Sequence, residues 1–277
     1  MAMERWRLLD VEWPDKPYYN LAVEEAIALA VEAGKAPNTL RFWRNDNTVV
    51  IGRLQCVSLE VKLRECLNYG VKVVRRFTGG GAVYHDLENL NYAVSLRRPT
   101  LIPGDDVGLG FRKVGEAVAL GLRRLGVEAC FVPVNDLQVG GRKISGMAGS
   151  LLQGLLFIHG CLLVGSNLEV LSKVLRIPRE KLESKGVKAP RARVTTLRDE
   201  VGRSLSMEEV KEALALGFEE AFNIKLERGR LTSWELEKAE ELYREKYSTV
   251  EWNLGPCVFC PERDKDLKIL RQIASEK

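Results

Sequence analysis

The residues with the clearest chemical potential lie in one stretch, residues 75–86, which reads RRFTGGGAVYHD. Three consecutive glycines are unfavourable inside a helix or strand, because ordering them costs backbone entropy. They suit a loop that brings backbone N–H groups close to an anion such as a phosphate or a carboxylate. The stretch matches neither of the two common phosphate-loop patterns. A surface turn is the alternative, but a plain turn rarely carries two arginines, a histidine and an aspartate.

A second such stretch covers residues 135–146, NDLQVGGRKISG. Its pattern predicts a strand, a Gly-Gly hairpin and a returning strand that begins near Lys143. A lysine among glycines and small residues can reach into a pocket as a compact point charge, although a lone hairpin lysine is more often exposed to solvent. His159 interrupts an apolar strand predicted at 155–164. A histidine in that setting is usually a satisfied core residue.

Taken together, these groups suit a site that holds an adenylate. The loop N–H groups and Lys143 would neutralise charge that develops on an α-phosphate while a carboxylate attacks it. Asp136 could bind Mg²⁺, which takes oxygen ligands and usually shares them with phosphates. The long apolar strands beside the site would accommodate an acyl tail.

The elements that would position these groups are a mixture of strands and helices. The strand at 71–76 leads into the glycine stretch, and the strand at 90–96 follows it. Asn20 is predicted as the N-cap of a helix that ends near residue 33. Residues 45–47 are predicted as the turn of a hairpin between neighbouring strands. The other predicted strands are 5–12, 39–44 and 48–52, and the other helices are 58–68, 107–125, 167–175, 178–184, 206–221 and 232–247, the last capped at Thr232 or Ser233 with Glu235 in a capping box.

Composition indicates an ordinary globular chain of 277 residues, with 45% hydrophobic and 29% charged residues. This length fits one large domain, or one domain with a small appendage. The net charge of +4 is too small for a nucleic-acid-binding surface. There is no run of 18 apolar residues and no secretory h-region, so neither a membrane span nor a signal peptide is predicted. Six cysteines in a chain of this size favour a reducing, cytoplasmic location.

Several short segments carry a resemblance to a known family. They are NLAVEE at 20–25, WRN at 43–45, TVVIGR at 48–53, residues 75–87 and 89–92, NDL at 135–137, GRKISG at 141–146, HG at 159–160, RVT at 193–195 and EWN at 251–253. With these motifs in the same order and at similar spacing, the sequence resembles the lipoate–protein ligases of the biotin/lipoate ligase superfamily. The resemblance covers roughly residues 5–254.

The resemblance implies a mixed α/β fold related to the catalytic domains of biotin ligases and class II aminoacyl-tRNA synthetases. It also implies two half-reactions. Lipoate and ATP, with Mg²⁺, would give lipoyl-AMP and pyrophosphate, and the acyl group would then move to a lysine ε-amine. The implied acceptors are the lipoyl domains of 2-oxoacid dehydrogenase E2 subunits and the glycine cleavage H protein.

By position, the resemblance implies that Lys143 is the catalytic residue and contacts the carboxylate and the α-phosphate in both steps. The implied adenylate-binding residues are Arg76, Thr78, Gly79, Gly80, Gly81, Val83, Tyr84, His85, Asn89, Asn135 and Asp136. Among these, Tyr84 and Asn89 would lie near the adenine, and Asp136 would hold the metal. The implied lipoyl-binding residues are Leu21, Glu25, Trp43, Arg76, Gly81, His85 and His159.

The sequence departs from the family pattern in two places. Cys161 follows the HG pair, where bacterial members often have threonine. Long members also carry a C-terminal accessory domain, which archaeal-type members supply as a separate small protein. We therefore expect a catalytic domain at 1–254, a short tail at 255–277, and a partner subunit that is needed for adenylate formation.

Three alternatives remain open at this stage. An octanoyl or lipoyl transferase without ATP would form a thioester on Cys130 or Cys161; the intact Gly81 and the Asn135–Asp136 pair argue against it. A biotin ligase lacks support, because the expected Gly-Arg-Gly-Arg-type loop is missing. A non-catalytic binding module would not need Lys143.

In the tail, Cys257 and Cys260 form one C-x-x-C, which is half a zinc site, a redox pair or a structural feature.

Overall fold

The computed structural model describes residues 3–97, 106–152, 154–176, 194–256 and 262–275, which form a mixed α/β fold. The strands are β1 (Glu4–Asp10), β2 (Thr39–Trp43), β3 (Thr48–Ile51), β4 (Lys72–Arg75), β5 (Val83–His85), β6 (Asn89–Arg97), β7 (Cys130–Val132), β8 (Asp136–Val139), β9 (Arg142–Leu152), β10 (Leu155–Leu163) and β11 (Ile224–Arg228). The helices are α1 (Pro17–Glu32), α2 (Val57–Glu60), α3 (Leu63–Asn68), α4 (Val107–Arg124), α5 (Leu168–Val174), α6 (Leu197–Val201), α7 (Met207–Phe222), α8 (Ser233–Leu242), α9 (Val250–Leu254) and α10 (Arg263–Ser275).

The strands form two sheets. The larger has the order β11-β1-β2-β6-β10-β9-β8-β7, and the smaller has the order β4-β3-β5. In the larger sheet β1 pairs in parallel with β2 and β11, and the remaining pairs are antiparallel. In the smaller sheet β3 is parallel to β4 and antiparallel to β5. The glycine stretch connects β4 to β5, so the smaller sheet carries it.

The larger sheet has an apolar core on each face. Along β6, Leu90, Tyr92 and Val94 pack with α4 and α7, whereas Ala93 packs with α1. This division follows from the alternation of side chains along a strand. Helices α4 and α7 approach closely because Gly217 faces the backbone of α4, where a Cβ would overlap the carbonyl oxygen of Ala117.

Two local predictions are wrong. Residues 45–47 do not form a hairpin turn, because β2 pairs with β6 in the larger sheet while β3 pairs with β4 and β5 in the smaller one. Asn20 is not an N-cap, since α1 begins at Pro17. The Asn20 amide is instead buried and bonds to the backbone of Trp13 and to the Asn45 side chain.

Other helix predictions have mixed outcomes. The capping box of Thr232 and Glu235 is confirmed, but the helix ends at Leu242 and continues as one π-helical turn, Tyr243–Tyr247. The helix predicted at 58–68 is divided into α2 and α3. The helix predicted at 178–184 and the residues Cys257 and Cys260 lie outside the described residues. No described helix is long and apolar enough to cross a membrane.

Arg75 ties the C-terminal part of the chain to the smaller sheet. Its fully buried guanidinium donates to the carbonyl oxygens of Gly52 and Gln55, and to those of Trp252, Asn253 and Leu254 in α9. With the carbonyl oxygen of Arg53, six backbone acceptors satisfy the donors of a charged group that would otherwise be costly to bury. The strand that leads into the glycine stretch is therefore anchored to α9.

Candidate active site

Two adjoining cavities open between the sheets, with volumes of about 140 Å³ and about 260 Å³. They share a boundary formed by Gly81, Ala82, Val83, Lys143, Gly146 and Cys161. The first cavity, here called the inner cavity, extends from this boundary towards Leu21, Trp43 and Val50. The second, the outer cavity, extends towards Tyr84, Leu171 and Arg176. The stretches around Gly81 and Lys143, distant in sequence, thus meet at one point.

Arg76 holds the glycine stretch in place through hydrogen bonds from its buried side chain. Its buried guanidinium donates to the carbonyl oxygens of Gly79 at 2.6 Å and Gly81 at 2.9 Å, and to Thr78 Oγ1 at 3.1 Å. In a trans peptide the N–H lies opposite the carbonyl oxygen. The N–H groups of Gly80 and Ala82 therefore point away from Arg76, as expected of a loop that offers N–H groups to an anion. Burial lowers the pKa of Arg76 to about 10, so it stays charged at neutral pH.

The glycines of this stretch have different local surroundings. Gly80 has φ of +88°, and a Cβ there would lie 2.8 Å from Arg76 Nη2 and 3.2 Å from Ala148 Cβ. Only glycine adopts such a backbone readily. Gly79 and Gly81 have open space where a Cβ would be, and Gly81 borders both cavities. Gly80 is thus required by the loop, whereas Gly81 keeps the space beside the cavities free.

A buried chain of hydrogen bonds supports the loop from the larger sheet. His159 Nε2 lies 2.7 Å from Thr78 Oγ1, and His159 Nδ1 lies 3.0 Å from Glu24 Oε2. Trp43 Nε1 donates to the other carboxylate oxygen of Glu24 at 3.1 Å. Because the Glu24 carboxylate can only accept, His159 Nδ1–H donates to it. In this tautomer Nε2 accepts from the threonine hydroxyl, whose oxygen also accepts from Arg76 Nε. His159 is therefore a satisfied residue that also lines the inner cavity.

Lys143 and Asp136 form an ion pair at the boundary of the cavities, with 2.6 Å between Nζ and Oδ1. Asp136 lies opposite Gly146 in the ladder of β8 and β9, and a Cβ at Gly146 would lie 2.5 Å from Lys143 Nζ. Because Gly146 has no side chain, the Lys143 side chain can pass over it and reach Asp136. Lys143 is 40% exposed, which leaves its ammonium accessible to a ligand. The Asn135 amide donates to the carbonyl oxygen of Met147 and fixes the start of β8.

The described residues contain no group of three or more His, Cys, Asp or Glu side chains that could hold a metal. Asp136, which pairs with Lys143, offers one carboxylate, and a Mg²⁺ ion held there would have to draw its other ligands from phosphates and water.

Two cysteines of the described chain bear on thioester chemistry. Cys161 lies opposite Gly146 in the β9–β10 ladder and borders both cavities. Its pKa is raised by burial, with Lys143 and Arg76 acting in the opposite direction. Cys130 is exposed on the edge strand β7, where its Sγ contacts the carbonyl oxygen of Gln138. The thiolate is the nucleophilic form, so the raised pKa disfavours nucleophilic attack by Cys161.

The site residues implied by the family resemblance fall into two groups: some line a cavity, and others contact the residues that do. Those that line the inner or the outer cavity are Leu21, Trp43, Arg76, Gly81, Val83, Tyr84, His85, Asn135, Lys143 and His159. Thr78, Gly79 and Gly80 line neither cavity and contact Arg76 instead, and Asp136 contacts Lys143. Asn89 is fully buried and donates to Asn91.

Glu25 does not line either cavity, in contrast to its expected place in the lipoyl site. Its carboxylate accepts from Lys246 at 2.7 Å and from Tyr247 at 2.6 Å. Successive helical residues are about 100° apart, so the neighbouring Glu24 faces His159 and Trp43 while Glu25 faces the chain after α8. Met147 and Ala148 also line the inner cavity and were not expected there.

The sequence matches the description "Lipoyl protein ligase A/B catalytic domain" over residues 16–219. It is 39% identical over 259 residues to lipoate-protein ligase A subunit 1 of Thermoplasma acidophilum, with 90% of this chain and 96% of that protein covered. It is 34% identical over 272 residues to octanoyltransferase LipM of Symbiobacterium thermophilum, with 90% and 98% covered.

Solved structures give the same picture of the fold. A bipartite lipoate protein ligase of T. acidophilum, described with its E2 lipoyl domain, is similar with a TM-score of 0.82 and 39% identity, covering 92% of this chain and 97% of that chain. Lipoate-protein ligase A bound with ATP has a TM-score of 0.81 and 37% identity, with 91% and 99% covered. A T. acidophilum protein with bound lipoic acid has a TM-score of 0.79 and 36% identity, with 92% and 100% covered.

Proposed function

The chain belongs to the lipoyl protein ligase A/B catalytic-domain family, and we propose that it attaches lipoate to a lysine of lipoyl domains by way of lipoyl-AMP. The observation that carries this proposal is the position of Lys143, whose side chain borders both cavities where they meet. An ammonium group at this point is adjacent to an acyl chain in one cavity and to a nucleotide in the other.

The linings support this division of the substrates. The inner cavity has apolar walls from Leu21, Trp43, Val50 and Met147, which suit an acyl chain. The larger outer cavity receives the adenosine and the phosphates, beside Tyr84. Similarity to one protein solved with ATP and to another solved with lipoic acid is consistent with both assignments.

In the first half-reaction a carboxylate oxygen of lipoate attacks the α-phosphorus of ATP. The bond to the bridging oxygen breaks, and pyrophosphate leaves with the electron pair. Lys143 and the N–H group of Ala82, both at the boundary of the cavities, stabilise the negative charge that accumulates on the α-phosphate. Asp136 would hold Mg²⁺ together with phosphate oxygens, and the ion supplies further charge neutralisation when bound. Lys143 then exchanges its Asp136 partner for the substrate.

In the second half-reaction the neutral ε-amine of an acceptor lysine attacks the acyl carbonyl. The bond between the carbonyl carbon and the phosphate oxygen breaks, AMP leaves with the electron pair, and the nitrogen gives its proton to water. Lys143 stabilises the oxygen that becomes negative and the AMP that departs. Because Lys143 acts in both steps, its loss abolishes transfer even from preformed lipoyl-AMP.

We propose that residues 1–254 form the catalytic domain and that a separate accessory subunit assists adenylate formation. The bipartite character of the T. acidophilum relative supports this arrangement. The proposed acceptors are lipoyl domains of E2 subunits and the glycine cleavage H protein, and the proposed location is the cytoplasm.

The test is lipoylation of a purified lipoyl domain, followed by mass spectrometry. The chain is supplied with lipoate, ATP and Mg²⁺ in one arm and with presynthesised lipoyl-AMP in the other. Modification from lipoyl-AMP alone supports a catalytic subunit that needs its accessory partner. Modification in both arms supports ligation without a partner. Absence of modification in both arms overturns the proposed function.

An ATP-independent octanoyl transferase is the second candidate, because relatives named octanoyltransferase LipM are similar over nearly their full length. One structural observation also favours it. Cys130 is paired with Gln138, and Gln138 with Lys143, so the three side chains lie in one row across β7, β8 and β9. Strand spacing puts Cys130 and Lys143 roughly 10 Å apart between Cα atoms.

Two cysteine variants separate the candidates. The transferase requires octanoyl transfer from an acyl-carrier thioester without ATP, and Cys130→Ser or Cys161→Ser must abolish it. The ligase requires that both variants retain transfer from lipoyl-AMP. Intact protein mass after incubation with the thioester reports directly on acylation of the chain.

A further inference from the structure

The inner cavity contains a buried nitrogen atom whose partner is missing from the protein. Among the described residues, His85 Nε2 is buried and makes no hydrogen bond, although the His85 side chain lines the inner cavity. The two other such atoms, in Trp6 and Asn89, belong to residues that line neither the inner nor the outer cavity. Buried polar groups are nearly always paired, so an unpaired one beside a cavity points to a ligand.

Neighbouring amides determine which nitrogen of His85 carries the proton. Asn45 Nδ2 lies 3.4 Å and Asn91 Nδ2 lies 3.5 Å from His85 Nδ1. The Asn45 amide is oriented by Asn20, whose Nδ2 donates to Asn45 Oδ1 at 3.0 Å. Asn20 is itself held by donation to and acceptance from the backbone of Trp13. Two N–H groups thus face Nδ1, which must accept, and the proton resides on Nε2.

His85 stands at the apolar end of the inner cavity rather than at the boundary with the outer cavity. Its ring contacts the Trp43 ring, with 6.1 Å between centroids. Neither His85 nor Trp43 lines the outer cavity, whereas Lys143 lines both. An acyl group whose carboxylate meets Lys143 therefore brings its distal part, and not its carbonyl, towards His85.

We propose that His85 selects the dithiolane ring of a lipoyl group over the methyl end of an octanoyl group. The inference rests on the proposed function and names the acyl class that the same site takes. A ring sulfur is a weak hydrogen-bond acceptor that can pair with Nε2–H, and it is also attracted to the edge of a neighbouring aromatic ring such as Trp43. An octanoyl chain would exclude water from the space beside His85 and offer no acceptor, so Nε2–H would stay unpaired.

The selection follows a general property of buried polar groups. A site built to bond a substrate group rejects an analogue that lacks that group, because the site's own donor is then left unpaired. Since sulfur is a weaker acceptor than oxygen, we expect a preference for lipoyl over octanoyl of about tenfold in kcat/KM. His159 does not contribute, since both of its ring nitrogens are already bonded.

The test measures transfer from synthetic lipoyl-AMP and octanoyl-AMP to a purified lipoyl domain, for the wild-type chain and two variants. His85→Phe keeps a flat ring and removes the donor. His85→Gln is the matched control, because its amide nitrogen reaches close to the position of Nε2. The lipoyl-to-octanoyl ratio of kcat/KM should fall about tenfold in H85F and stay within about threefold of wild type in H85Q. Melting temperatures are recorded for both variants.

Three results overturn the proposal. They are a wild-type ratio near one, an H85F ratio equal to that of wild type, and an equal loss of the ratio in H85Q and H85F. If H85F does not fold, a wild-type ratio near one still overturns the proposal, and so does a loss of the ratio in H85Q. Failure of the wild-type chain to transfer either acyl group contradicts the proposed function itself. The two kinds of failure are therefore distinguishable.

Discussion

Glu24 and His159 form a buried pair in which the carboxylate oxygen Oε2 lies 3.0 Å from the ring nitrogen Nδ1. Through this pair, helix α1 sets the orientation of a histidine on β10, and the histidine holds the hydroxyl of Thr78 in the glycine stretch. Three segments far apart in sequence thus determine the position of the loop carbonyls and N–H groups. The buried carboxylate acts as a positioning group, since it contacts the ligand site only through other side chains.

Two replacements of Thr78 distinguish the contribution of its hydroxyl group from that of its side-chain volume. In Thr78→Val, His159 Nε2 and Arg76 Nε each lose a buried partner, so the free energy of unfolding should fall by about 1–3 kcal/mol. Transfer from lipoyl-AMP should fall as well, because Arg76 then holds the loop less firmly. Thr78→Ser keeps the hydroxyl and should stay close to wild type in both respects. Urea unfolding and single-turnover transfer provide the measurements; equal behaviour of the two variants would contradict the role given to the hydroxyl.

Gly80 and Gly81 should respond differently to alanine. Gly80→Ala places a Cβ in a left-handed backbone and against Arg76, so we expect a loss of stability of about 1–2 kcal/mol together with a loss of activity. Gly81→Ala meets no protein atom within 4 Å and should leave the melting temperature unchanged. Its methyl group occupies space beside both cavities, so the affinity for lipoyl-AMP should fall. Thermal denaturation and equilibrium binding of lipoyl-AMP test this contrast; a destabilised G81A would contradict it.

Gly146→Ala should displace the lysine without removing it. The added Cβ would lie 2.5 Å from Lys143 Nζ, so the ammonium must move away from the boundary of the cavities. A shift of about 1 Å in a catalytic group can lower the rate about a hundredfold. We expect single-turnover transfer to fall by that order, while circular dichroism remains unchanged. Lys143→Arg serves as the comparison and should not restore activity, because the planar guanidinium cannot occupy the place of a compact ammonium.

His85 should make the stability of the protein depend on pH. Burial, followed by repulsion from Arg76 and His159, lowers its pKa from 6.5 to about 3 in the folded chain. Between these values the unfolded chain binds the proton and the folded chain does not. The stability associated with neutral His85 is therefore complete above about pH 6.5 and is lost as the pH falls towards 3, with a limiting slope of about 1.4 kcal/mol per pH unit. In His85→Gln this part of the slope should disappear between pH 6.5 and 4.5, as measured by urea unfolding.

The residues that border the ligand site were easier to predict from the sequence than the residues that hold them in position. The glycine stretch and the Lys143 hairpin were recognisable because their residue types are informative locally. The choice between Glu24 and Glu25 was not, since α1 is buried on most of its surface and periodicity cannot show which face meets His159. Glu24 is identified only by its partners on β2 and β10, which the sequence does not place.

The incorrect hairpin at 45–47 has a similar origin. The turn residues there are typical of a hairpin, and the strands on either side are real. Their partners, however, are chosen by distant parts of the chain: β2 pairs with β6, while β3 pairs with β4 and β5. Local turn chemistry fixes a change of direction but not whether the chain returns to the same sheet. The space between the sheets that holds the inner cavity depends on this separation.

The burial of Arg75 determines where the catalytic unit can be cut. A chain that stopped before Val250 would take away three of the carbonyl oxygens that accept from this guanidinium and would also remove the indole of Trp252, which donates to the Arg75 carbonyl oxygen. The charge would then remain inside the protein with too few acceptors, one residue away from Arg76 and the loop that it supports. Residues 250–254 are therefore required to keep the glycine loop in place, although they contribute no side chain to either cavity.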